Sequence, residues 1–294
     1  MKHIIYLLFF YALLYSTIGY SVPRIIATIN PIYSLVNAVT NEVTQPILLI
    51  NEPISVHDYM LKPSDKRKLK DSDIIFYVDD HLETFIKRIK GKKLIRLSEV
   101  VELLPSRYDS NFSYKIHTTS NDLHIWLNPE NAKKIVNHIR LVLCKIDPEN
   151  AEKYKQNANS TLIQITEQAE IIKNMLNSVK TKPYIVTHDA YQYFEKYFGL
   201  NFIASISSNH DTNISVKRLA YIRKIITQNK IKCIFSESPN EKIKNLFSQY
   251  QVKFQVLDPI GNTYSTNNSY FNIMKNIADN FLHCLSYNSL DITN

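Results

Sequence analysis

The feature that most constrains this chain is an unbroken apolar stripe over residues 148–179. Ala151, Tyr154, Ala158, Leu162, Ile165, Ala169, Ile172, Leu176 and Val179 step by three or four residues throughout, the spacing of one face of an α-helix. Asp147-Pro148-Glu149 supplies a start signal, with proline in the first turn and an acid near the positive end of the helix dipole. Thr181-Lys182-Pro183 supplies the stop, and no glycine or proline intervenes after Pro148. At 1.5 Å per residue such a helix spans roughly 48 Å, far more than an average globular helix. On pattern alone it is a long helix on one core, a coiled-coil segment short of heptads, or a spine joining two halves.

On either side of the stripe, short β-branched runs alternate with helical stretches. Before it, strands are predicted at 24–28, 44–49, 74–78 and 94–97, and helices at 32–40, 62–70 and 82–90. A polar, aperiodic loop at 106–121 leads to a helix at 129–146. After it, strands at 184–187, 202–206, 233–236 and 254–257 alternate with helices at 191–198, 216–228, 241–249 and 270–285. Such alternation builds a mostly parallel sheet with helices on its faces. The expected fold is α/β in two lobes, each a mostly parallel sheet flanked by helices, joined by one long rigid helix. The expected divisions are a lobe at 22–147, the linking helix at 148–179 and a second lobe at 180–294.

Residues 1–21 read as a cleaved signal peptide. Lys2 and His3 precede an apolar run at 4–14 that is short for a membrane span, and Gly19-Tyr20-Ser21 offers small residues at a cleavage point. No cysteine stands near that point, so a soluble product without a lipid anchor is expected. The chain carries 35 Lys and Arg against 27 Asp and Glu; removing the leader deletes Lys2 alone, leaving 34 against 27, or +7. Those cations are scattered over helix faces, with clusters only at Lys66-Arg67-Lys68 and 87–93. This is solvation rather than a nucleic-acid footprint. Only 4 glycines occur, one of them in the leader, which argues against phosphate-cradling loops and dinucleotide fingerprints.

Cys144, Cys233 and Cys284 would travel to an oxidising compartment and allow one disulfide and one free thiol, with the pairing left open. Cys144 lies at an apolar helical position and reads as a buried thiol. A bridge between Cys233 and Cys284 would close a loop of about 50 residues, worth roughly 4 kcal/mol by loop entropy.

Open parallel sheets bind ligands beyond the carboxyl ends of their strands. His57 follows the second predicted strand, His188 ends the first strand after the stripe, Glu237 ends a later one and Asp258 the last; His124 precedes a Trp-Leu-Asn-Pro turn. These histidines and carboxylates are a donor set for a metal, although each alone also fits a hydrogen-bonded surface or core group. Asp58 and Asp189 stand beside two of the histidines, where a carboxylate can fix an imidazole tautomer. His81, His117, His138, His210 and His283 fall away from strand ends and read as surface groups.

The order of the motifs resembles a known family. His57-Asp58-Tyr59 with Lys62-Pro63-Ser64-Asp65, Asp122-Leu123-His124-Ile125-Trp126-Leu127-Asn128-Pro129, Thr187-His188-Asp189-Ala190-Tyr191 and Leu257-Asp258-Pro259-Ile260-Gly261 are similar to the zinc-binding solute receptors of bacterial metal ABC importers, the ZnuA type. The resemblance covers the mature chain and implies two α/β lobes joined by one long helix, with the metal between them. It implies that His57, His124 and His188 ligate zinc, that Asp258 supplies a carboxylate or lies close by, and that Glu237, Asp58 and Asp189 line the cleft or support the ligands. It also favours Cys233 and Cys284 as the disulfide pair.

Two departures matter. Val56 stands where zinc receptors of this type often carry glutamate, and the stretch 107–121 holds only His117 where many have a histidine-rich loop. The resemblance implies a monomeric, non-enzymatic periplasmic receptor that delivers zinc to a permease with a cytoplasmic ATPase. Manganese or iron as cargo, a secreted zinc metalloenzyme using Glu237 as base, and a zinc-stabilised adhesion protein are the alternatives. Three imidazoles suit zinc better than manganese, and affinity should fall as pH drops through the histidine range.

Overall fold

Two four-stranded sheets organise the chain, and every pairing within them is parallel. The structure is a computed structural model that describes residues 22–52, 56, 59–109, 114–115, 121–207, 214–261 and 270–286. The expected leader at 1–21, and His57, Asp58, His117 and His210, lie outside the described residues.

The first sheet contains β1 (Ile25–Ala27), β2 (Ile47–Leu48), β3 (Ile74–Tyr77) and β4 (Lys93–Arg96), in the order β2-β1-β3-β4. Strand β3 reads Ile-Ile-Phe-Tyr and is buried throughout, as a parallel strand covered on both faces must be. Ile26 lies opposite Ile47 on one side and Ile75 on the other. Helices α1 (Asn30–Thr40) and α2 (Pro63–Asp71) follow β1 and β2. A two-stranded antiparallel ribbon, β5 (Tyr108–Asp109) and β6 (Tyr114–Lys115), lies within the stretch read as an unstructured loop.

Helix α3 (Pro129–Ile146) returns over this lobe and meets the spine, α4 (Ala151–Leu176). The predicted 148–179 helix is therefore shorter by a turn at each end. Pro148–Asn150 forms a 3-10 turn, and the chain leaves the helix after Leu176. Its buried face is Tyr154, Ala158, Thr161, Ile165, Ala169, Ile172 and Leu176. Thr161 takes the place expected of Leu162, its hydroxyl satisfied by the Asn157 carbonyl at 2.8 Å. The spine packs on α1 and α3 from one lobe and on the last helix from the other.

The second sheet contains β7 (Tyr184–Val186), β8 (Phe202–Ser205), β9 (Cys233–Ser236) and β10 (Lys253–Val256), in the order β10-β9-β7-β8. Its helices are α5 (Gln192–Phe198), α6 (Val216–Gln228), α7 (Glu241–Leu246) and α8 (Tyr270–Leu285). One apolar core runs from β1 and β3 past the spine to Tyr184, Val186, Phe235 and Phe281. A smaller one, with Ile185, Ile222, Ile234 and Phe247, fills the other face of the second sheet. Cys233 in β9 is bridged to Cys284 in α8, their Cα atoms 6.0 Å apart. Cys144 is the free thiol. It is half-buried rather than buried, because the end of α3 lies against the start of the spine, where its sulfur meets the Ala151 carbonyl. Among the described residues, no helix is long and apolar enough to cross a membrane.

The predicted helix at 82–90 is a 3-10 turn, Thr84–Arg88. Just before it, the fully buried Glu83 turns inward, and its carboxylate accepts from the Val78 and Asp79 amides and from the Thr28 hydroxyl. Burial dominates and pushes this carboxyl up to about 7, although those hydrogen bonds pull the other way. The folded chain thus holds a proton that the unfolded chain releases near pH 4.5. Glu83 therefore opposes folding progressively as pH rises from about 4.5 to 7, by about 3 kcal/mol at the upper end. Thermal unfolding of wild type and Glu83→Gln across that window is expected to show a decline in wild type that the variant lacks. Parallel curves would assign the decline to other groups.

Candidate metal centre

His124 is positioned by its own neighbourhood. The Asp122 carboxylate accepts from the His124 backbone amide at 2.9 Å and meets Nδ1 of the ring at 2.8 Å. An ionised carboxylate can only accept, so it takes a hydrogen bond from Nδ1 and would direct a neutral ring to offer Nε2, the arrangement a metal ligand needs. The 3-10 turn Ile125–Leu127 follows, buried throughout, and Asn128 caps α3 by accepting from the Glu130 amide.

His188 is positioned by topology. It follows β7, while Glu237 and Asp258 follow β9 and β10; these three strands are consecutive in the sheet, so their ends lie side by side. Glu237 Oε1 meets His188 Nδ1 at 2.6 Å. Burial pushes the His188 imidazole down, but the charge and hydrogen bond of Glu237 more than offset this and leave it above its usual value. His124 and His188, from opposite lobes, bring their ring centroids within 5.5 Å, with exposures of 4% and 5%. Asp258 is also buried, its Oδ1 accepting from the amides of Ile260 at 3.0 Å and Gly261 at 2.7 Å.

Asp189 does not orient His188. It turns to Arg107, whose Nη1 donates to its Oδ1 at 2.6 Å, while Nη2 donates to Glu195. The guanidinium lies over the Phe202 ring, 3.9 Å from its centroid, and the Tyr184 hydroxyl donates to Glu195 at 2.7 Å. Burial raises both carboxyls, with Arg107 pulling them back. Arg107 arrives from the first lobe, so this triad fastens its loop to the second. Nothing at Arg107 itself marked it in the sequence; Glu195, an acid inside the aromatic run 191–198, was the available signal. For Asp122 the signal was the Asp-x-His spacing.

Among the described residues, no group of three or more His, Cys, Asp and Glu side chains is arranged to hold a metal ion. The described part brings together the two imidazoles and the carboxylates that orient them. His57 and Asp58 lie outside it.

Residues 25–284 match the family described as zinc-uptake complex component A, periplasmic. The chain belongs to the ZnuA family. The high-affinity zinc uptake system protein ZnuA of Haemophilus ducreyi is 30% identical over 288 residues, covering 89% of this chain and 93% of that protein. A crystal structure of ZnuA shares the fold, with a TM-score of 0.77 at 18% identity over 90% of this chain and 100% of that one. Zn(II)-bound AdcA of Streptococcus pneumoniae matches with a TM-score of 0.74 at 24% identity over 91% of this chain, which spans 58% of that chain's length. His124 and His188, both buried in this chain, come from opposite lobes.

Proposed function

We propose that the protein is a periplasmic zinc receptor that delivers the ion to an ABC permease and its ATPase. It is a receptor and not an enzyme. The single observation supporting this reading is the contact of His124 and His188 across the lobe junction, each with Nδ1 engaged by a carboxylate, which leaves Nε2 as the nitrogen that would ligate a cation. In this reading His57 is the third imidazole and Asp258 supplies or backs the fourth position. Neutral imidazoles favour zinc over the harder manganese ion. The zinc-uptake relatives support the same cargo. Residues 1–21 are a cleaved leader, and the mature receptor is soluble, monomeric and without a lipid anchor. Its divisions are the lobes 22–147 and 180–294, with 148–179 as linker.

The protein, purified in chelator-treated buffer, is expected to bind zinc at one equivalent in calorimetric titration and to bind manganese far more weakly. Stronger binding of manganese than zinc would transfer the site to the other cargo. Absence of binding to either would remove the receptor reading.

A further inference from the structure

The turn that carries Asp258 belongs to the second lobe, yet side chains of the first lobe hold it. Trp126, the only tryptophan in the chain and 1% exposed, donates from Nε1 to the Pro259 carbonyl at 2.8 Å. Asn30, at the start of α1, donates to the Ile260 carbonyl at 3.1 Å. Asp258 in turn accepts from the amides of Ile260 and Gly261, which ties its carboxylate to the backbone of the same turn. Gly261 has a φ of +78°, and a Cβ there would lie 2.6 Å from Ile273 Cγ1 and 3.0 Å from the Asn30 amide nitrogen. The positive φ and the crowding by Ile273 both call for glycine, and the Asn30 side chain packs against the same turn.

The Trp126 indole also meets His124 in an edge-to-face contact, ring centroids 5.4 Å apart at 61°. One rigid ring therefore touches an imidazole of the first lobe and is hydrogen-bonded beside a carboxylate of the second. We propose that Trp126, assisted by Asn30, is a positioning residue that couples the Asp258 turn of the second lobe to His124 of the first, so that the two groups keep a fixed relation when zinc is bound. The proposal rests on the zinc reading above. A buried indole N–H needs an acceptor, and here that acceptor is the one carbonyl that ties it to the ligand turn.

The test is a double-mutant cycle between Trp126→Phe and Asp258→Asn, read by competition with a chromophoric zinc chelator and by the visible spectrum of the cobalt(II) form. Phenylalanine keeps an aromatic ring near His124 and removes the donor together with the rest of the indole, a packing loss that the cycle separates; asparagine keeps the turn's acceptor and removes the charge. Trp126→Phe is expected to bind one zinc with affinity lowered about tenfold to a hundredfold. Its cobalt spectrum should move toward that of Asp258→Asn, and its effect should vanish in the Asp258→Asn background. Equal losses in both backgrounds would overturn the proposal, since packing alone would cost the same in each. An unchanged affinity and spectrum would also overturn it. In either case, if His124→Ala still loses zinc, the receptor reading stands; wild-type binding by His124→Ala and His188→Ala would instead remove that reading. Melting of the metal-free variants checks folding. Should Trp126→Phe not fold, the same cycle with Asn30→Ala decides the matter, and additivity there overturns it.

Discussion

Replacing His188 with alanine is expected to weaken zinc binding on the order of a hundredfold or more, and His124→Ala to do the same. The magnitude follows from dividing a four-ligand zinc binding energy of roughly 10–16 kcal/mol among its ligands, about 3 kcal/mol each. Both rings are almost fully buried at the lobe junction. Glu237→Gln should cost less, about tenfold to a hundredfold, because it leaves the ligand in place and loosens only its orientation at Nδ1. Competition against a chelator of known affinity measures all three. A ranking with Glu237→Gln worse than His188→Ala would mean that the carboxylate, and not the imidazole, contacts the ion.

The second large effect lies outside the ligand set. Arg107→Leu strands Asp189 and Glu195, whose side chains are 0% and 2% exposed, without their cation. Breaking a buried ion pair from one side costs about 3–5 kcal/mol. For a chain of this size that corresponds to a fall in melting temperature of very roughly 10 °C. The loss should also depend on pH in a definite direction. Burial already raises both carboxyls, and Arg107 is the group that pulls them down. Without it both favour the protonated form more strongly, so the variant pays little at pH 5 and progressively more as pH rises toward 8. Arg107→Lys should rescue only partly, since an ammonium lacks the planar fork that serves two carboxylates at once. A melting temperature within 2 °C of wild type at pH 8 would show that the triad contributes nothing net, a known outcome for some buried pairs.

Much of the fold was legible in the sequence because it is written in local periodicity. The stripe from Tyr154 to Leu176 and the apolar runs at β3, β7 and β9 are short-range patterns, and the ends of α3, α6, β9 and α8 match their predicted positions. What escaped was long-range. Sequence order would set β8 beside β9, but the crossover places β7 there, and this is what brings Glu237 against His188 while Asp189 faces elsewhere. The partnership of Arg107 with Glu195 spans 88 residues and has no local trace. Cap and turn chemistry was only partly readable. Glu83, an ordinary helix former, bends inward to satisfy amides at the end of β3 and leaves a 3-10 turn behind it.

The last helix carries a consequence for how the protein comes to exist. Helix α8 lies on the spine and on α1, with the Tyr270 amide donating to Ser34 across 236 residues and Gln168 reaching the Phe271 carbonyl. The first lobe is thus roofed by a helix made long after its own strands. Contacts of such sequence separation form late and slow the search. A chain with this wiring cannot finish its first half early, because that half stays open until α8 has been added and docked.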